Sequence, residues 1–205
     1  MVWHDIFDGG FEPEEVRAYE QLLRNLHDVQ NGVASMRMDR GTVEELAADL
    51  EKWRDRLDPL ATDEPNQVNG RVLQLPVRGH AMLPELNVTT RDEKHLEGTV
   101  IFGRWFMGGG MAAHGGAVTL MFDEALGIQA GMTAGGMTRT AYLKVDYRAL
   151  TPIDVELHAR VWVDRMEGRK LFVRGELRHG DVVCAEADGL FLKLLPENGM
   201  GKRTS

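Results

Sequence analysis

The chain has 205 residues, 43% of them apolar and 27% charged, with a formal net charge of −8. That length encloses a real core, and the composition is that of an ordinary globular protein, neither disordered nor fibrous. The acidic balance argues against nucleic acid, no stretch approaches the roughly 20 apolar residues of a membrane span, and the acidic start MVWHDIFDGGFEPEE lacks a signal-peptide layout, so a cytoplasmic protein is expected.

Residues 1–60 read as an N-terminal helical extension. EPEEVRAYEQLLRNLHDVQ opens with acids and a proline and offers Val16, Leu22, Leu23 and Leu26 as an apolar stripe. Gly32 and RMDRG are expected to end it. A second helix follows, with Thr42 and Glu45 as a capping box and Val43, Leu46, Leu50, Trp53 and Leu57 on one face. Two such helices need a surface to dock on, in this chain or in a partner subunit.

LDPLATDEPNQVNG, residues 57–70, is rich in Pro, Asp and Asn and reads as a linker, with 61–70 as its core. Strands are expected over 71–77 and about 95–103, with the irregular LPVRGHAMLPELN between them. A helix over about 115–132 is apolar in nearly every direction, which marks it as enclosed. After it come TAYLKVDYRAL, the alternation Val155, Leu157, Ala159, Val161, Val163, and the run Leu171, Val173, Leu177, joined by turns at MEGRK and HGD. Cys184, the single cysteine, sits in an apolar run and is read as a core residue. A curved antiparallel sheet wrapped around one central helix, an α+β fold, fits this order. Residues 196–205 are expected to form a flexible tail.

The central helix begins at MAAHGGAVTLMFDEALG. Gly115 and Gly116 leave the first-turn N-H groups open to an incoming group that develops negative charge, such as a thioester carbonyl under attack; equally, two glycines serve close packing. His114 reads as a hydrogen-bonding residue at the helix start. It has no second histidine at ligand spacing, so no metal is expected, and His80, His95 and His158 read as structural or surface residues. Asp123 and Glu124 interrupt an apolar run, and buried carboxylates demand a partner. They point about 100° apart, so one is a candidate acid or base and the other a structural contact. Asp123 follows Gly116 by seven residues, ~10.5 Å of helix, whereas a reacting group must come within about 3 to 3.5 Å of its target. Either the two motifs are unrelated, or Asp123 serves the helix start of a second subunit, which predicts a site at a dimer interface.

HGGAVTLMFDEALG, followed by the strands from Thr140 to Leu194, resembles the hotdog-fold acyl-CoA thioesterases of the phenylacetate-pathway (PaaI-like) group over roughly residues 70–195. The resemblance implies a hotdog domain over 71–195 capped by the helices of 1–60, a homodimer with its sheets joined edge to edge, often a homotetramer, an acyl-CoA substrate and no cofactor. It also implies that Asp123 is base or nucleophile, that the Gly116 N-H polarises the carbonyl of the partner's substrate, and that Thr140 helps to position the attacking water. His114 and Gly115 would then border the substrate. Gly108 stands where some relatives carry an Asn or Gln that contacts it. Met107, Met111, Met121 and Phe122 are available to line an acyl pocket, although such residues more often form core. The rival reading is a non-catalytic acyl-CoA binding or sensing dimer, which the glycine at 108 favours. A hotdog hydratase ranks last, because its Asp and His would sit in one short segment.

Overall fold

Pro13 at the first helical position and the acids Glu14 and Glu15 behind it favour a helix start. Helix α1 runs from Pro13 to Ser35 in the computed structural model, which describes residues 11–72 and 74–195. The expected tail, 196–205, lies outside the described residues. Gly32 does not end the helix; a lone glycine costs about 1 kcal/mol in a helix interior, too little to break one held by docking. Val16, Tyr19, Leu23 and Leu26 turn inward at helical spacing, whereas Leu22 is exposed. The helix is tied down by Asn31, whose Oδ1 accepts the Trp105 N-H at 3.0 Å, and by His27, whose Nε2 meets the Ala81 carbonyl at 3.3 Å.

Helix α2, Arg40–Leu57, is capped by Asp39 rather than by Thr42, because the Asp39 carboxylate accepts the Thr42 N-H at 3.0 Å. None of its residues is buried, and Leu46, Leu50, Trp53 and Leu57 form an open apolar stripe. Short 3-10 turns at Asp58–Leu60 and Glu64–Asn66 fill the stretch read as a linker.

No strand forms among the described residues of 71–77. The chain is an irregular strap that ends in a 3-10 turn, Pro76–Gly79, and it buries Val72, Leu75 and Val77 one by one; their spacing of three and then two never alternated as a strand would. Strand β1, Leu86–Arg91, falls partly in the segment read as irregular: of its six residues only Leu86 is buried and Val88 partly so, and the other four are polar, too short an alternation to stand out.

The main sheet adds β2 (His95–Ile101), β5 (Thr138–Tyr147), β6 (Glu156–Glu167), β7 (Lys170–His179) and β8 (Val182–Lys193) in the order β1-β2-β6-β7-β8-β5, with every neighbour antiparallel. MEGRK and HGD are the tight turns of β6-β7 and β7-β8. A small hairpin, β3 (Met107–Gly109) and β4 (Ala112–Ala113), precedes helix α3, Gly115–Ala134. Helix α3 touches all six strands, so the sheet curls around it as in the hotdog fold. Leu96, Val100, Leu157, Val161, Leu171, Val173, Leu177 and Phe191 meet Val118, Met121, Phe122 and Leu126 in one core. Each such side chain contributes about 1.5–3 kcal/mol by leaving water. Met121 and Phe122 are spent on this core, while Met107 and Met111 are exposed. Cys184 is fully buried, and that burial raises its thiol pKa.

Candidate active site

Helix α3 begins with an unusual cap. His114 adopts an extended backbone, and its Nδ1 accepts the Gly116 N-H at 2.9 Å, which requires the ring proton to sit on Nε2. A side chain on Gly116 would place its Cβ 3.0 Å from that ring nitrogen. Gly108 is bare for a related reason: a Cβ there would lie 2.9 Å from the His114 Cα, so the β3-β4 hairpin packs directly on the main chain of the helix start.

Gly115 is held by a residue that the sequence did not bring forward. Tyr147, at the end of β5, donates its hydroxyl to the Gly115 carbonyl at 2.7 Å, and the same oxygen lies 2.8 Å from the Thr119 hydroxyl. At the other end of the strand, Thr140 donates to the Asp123 Oδ1 at 2.9 Å. One strand thus touches both the helix start and the acid.

Seven residues separate Thr140 from Tyr147, and an odd separation puts side chains on opposite faces of a regular strand. A bulge resolves this. The pairing with β8 shifts between Thr140 and Tyr142, so that Thr140 opposes Phe191 and Tyr147 opposes Ala185, both inward-facing core residues.

Glu124 answers the question of the second acid. It is buried, and Arg78 grips it with a fork, Nε to Oε1 at 2.8 Å and Nη2 to Oε2 at 2.6 Å. Arg78 and Val77 hold left-handed backbone, φ +57° and +43°, which is strained for residues with a Cβ and aims the guanidinium at the helix.

Asp123, half-buried, opens into a cleft of about 440 Å³ that Arg78, His80, Arg139 and Thr140 also line. His114, Gly115 and Gly116 are not among its walls. His80, read from the sequence as structural or surface, has its Nδ1 buried with no hydrogen-bond partner among the described residues. Burial pushes its pKa below the ordinary histidine value; Glu124 opposes that shift and Arg78 adds to it. No sequence period marks Arg78 or His80, because both sit in the irregular strap. Tyr147 shares the inward period of Leu143 and Val145, but Thr140 joins that face only through the bulge. Among the described residues no group of three His, Cys, Asp or Glu is gathered as a metal site would need, and no helix is long and apolar enough to cross a membrane.

Residues 111–186 match the Thioesterase superfamily profile. That segment resembles the thioesterase superfamily. The matched thioesterase-superfamily segment starts at the hairpin before His114 and takes in α3, β5, β6, β7 and the start of β8, hence both ends of the geometry above. Over 86 residues the chain is 38% identical to the acyl-coenzyme A thioesterase THEM4 of Bos taurus, covering 41% of this chain and 35% of that protein. The corresponding protein of Xenopus laevis is 36% identical over 85 residues, 40% of this chain and 38% of its own length. The chain therefore spans little more than a third of the curated relatives it matches. A crystal structure of a thioesterase superfamily protein superposes with a TM-score of 0.72 at 22% identity, covering 85% of this chain and 90% of that one. That coverage exceeds what residues 71–195 supply, so the shared fold takes in part of the N-terminal helices.

Proposed function

We propose that this chain hydrolyses acyl-CoA thioesters as a cytoplasmic homodimer that needs no cofactor, with Asp123 of one subunit acting on a carbonyl held at the Gly116 N-H of the other. The observation that carries the reading is the double attachment of β5, to Asp123 through Thr140 and to Gly115 through Tyr147. Among the described residues strand β5 is an edge strand with only β8 beside it, and that open edge can take a second copy. Antiparallel pairing about a twofold axis at Lys144, with the bulge counted as one ladder step, sets position 140 opposite position 147 of the mate. Asp123 then lies alongside the partner's Gly116, a closeness that ~10.5 Å of helix denies it within one chain.

In this arrangement Asp123 either takes a proton from water or attacks the carbonyl itself, and the Thr140 hydroxyl keeps its carboxylate aimed. The carbonyl oxygen, as it gains charge, takes the Gly116 N-H from His114. The C-S bond then breaks and the thiolate leaves with a proton; where Asp123 itself has attacked, water next opens the resulting acyl-aspartyl anhydride, and on either route acid and free CoA result. The similarity to acyl-coenzyme A thioesterases supports acyl-CoA as the substrate.

Replacing Asp123 by Asn should remove most thiol release across a panel of short, long and aromatic acyl-CoAs while the fold persists; undiminished release rejects the assignment. After single turnover in water labelled with heavy oxygen, label in Asp123 establishes the nucleophile route, because a base never exchanges its own oxygens.

The second reading, acyl-CoA binding without turnover, draws on one observation: the Gly116 N-H is already engaged by His114. Thermal stabilisation by acyl-CoAs with no thiol release from the unaltered protein would favour it.

A further inference from the structure

We propose that Tyr147 is a positioning residue that strengthens the carbonyl-binding amide from behind, an inference that rests on the acyl-transfer reading above. The Gly115 carbonyl and the Gly116 N-H are two ends of one planar peptide unit. A donor on that oxygen fixes the plane and draws electron density toward it, which leaves the N-H a stronger donor on the opposite side. Tyr147 supplies this donor at 2.7 Å.

The relay has one more member. The Tyr147 hydroxyl has a single proton, and that proton goes to Gly115; the Thr119 hydroxyl at 2.8 Å therefore donates to the Tyr147 oxygen. The chain runs from Thr119 to Tyr147, to the Gly115 carbonyl, through the peptide, and out at the Gly116 N-H. Its present acceptor is the His114 Nδ1 at 2.9 Å; in the reaction the thioester oxygen takes that place.

Gly115 is fitted to the same arrangement. A Cβ on it would sit 3.0 Å from the Tyr147 Oη and 3.1 Å from its Cζ, so the tyrosine reaches the peptide because this residue has no side chain. The two glycines of the corner thus have separate uses, Gly115 for the tyrosine and Gly116 for the imidazole.

The test uses the full chain with Tyr147→Phe and Thr119→Val. With the acyl-CoA that the unaltered protein turns over fastest, Tyr147→Phe should lower kcat about tenfold, less than the 10²–10³ of losing an oxyanion donor outright, and leave KM nearly unchanged; Thr119→Val should do the same to a smaller degree. In the unliganded protein the Gly116 amide proton should move upfield in both variants. An unchanged kcat, an effect on KM alone, or an unmoved Gly116 amide overturns the proposal. Should Tyr147→Phe fail to fold, Thr119→Val gives the same two readouts. If the unaltered protein releases no thiol, the acyl-transfer reading fails instead, and the Gly116 amide shift alone decides whether Tyr147 acts on that peptide.

Discussion

Arg78 and Glu124 meet through two parallel hydrogen bonds, across 46 residues of sequence, with the Glu124 side chain 7% exposed and the Arg78 side chain 25%. Removing one partner of such a pair leaves an uncompensated charge. Glu124→Gln should cost about 2–4 kcal/mol, the usual loss reduced for the partial exposure of Arg78, and lower the thermal midpoint by roughly 5–15 °C. The double change Arg78→Met with Glu124→Leu should cost less than either single change, read by chemical denaturation.

Thr140 tests the aim of the acid rather than its presence. Thr140→Val should lower kcat about tenfold, the scale of one hydrogen bond to a charged group, whereas Thr140→Ser keeps the hydroxyl and the rate. Steady-state kinetics on both variants at one pH measures the difference. Equal rates in all three proteins would mean that the 2.9 Å contact has no part in turnover.

Two glycines should respond to alanine with opposite signs. Gly32, inside α1, has nothing within 4 Å of a would-be Cβ, so Gly32→Ala should stabilise by up to about 1 kcal/mol. Gly108→Ala meets the His114 main chain, which cannot swing aside, and should destabilise by about 1–3 kcal/mol. Urea midpoints of the two variants check both signs.

His80 gives the fold a pH dependence whose direction is fixed. Its folded-state pKa is lowered by burial, so between its ordinary value of about 6.5 and that lower value the unfolded chain binds a proton that the folded one does not. Its contribution is complete above pH 6.5 and is lost as the pH falls below it. Thermal midpoints from pH 8 to pH 5 should decline, and His80→Gln should flatten part of that decline; an identical slope in the variant would assign it elsewhere.

The hairpins of the C-terminal half and the enclosed helix were legible because each is one uninterrupted period: Leu157, Ala159 and Val161 alternate, and α3 is apolar all round. Failures cluster where tertiary contacts replace local pattern. Val72, Leu75 and Val77 are apolar for reasons of individual burial, β1 is a polar edge, and Gly32 sits in a helix held by Asn31 and Leu23 farther back. In the site, Asp123 and the glycine corner announce themselves as oddities in an apolar run. Their contacts do not, since Thr140 and Tyr147 share a face only after a register shift, and Arg78 arrives from a strap in left-handed backbone.

That register shift also bears on whom the chain will accept as a neighbour. A smooth margin would welcome any extended peptide and let stacking run on without limit, whereas one interrupted at Ala141 breaks the rhythm of main-chain donors and acceptors partway along. A stranger finds only a few bonds there before the ladder fails. The irregularity that turns a hydroxyl toward Asp123 thereby also discourages promiscuous aggregation.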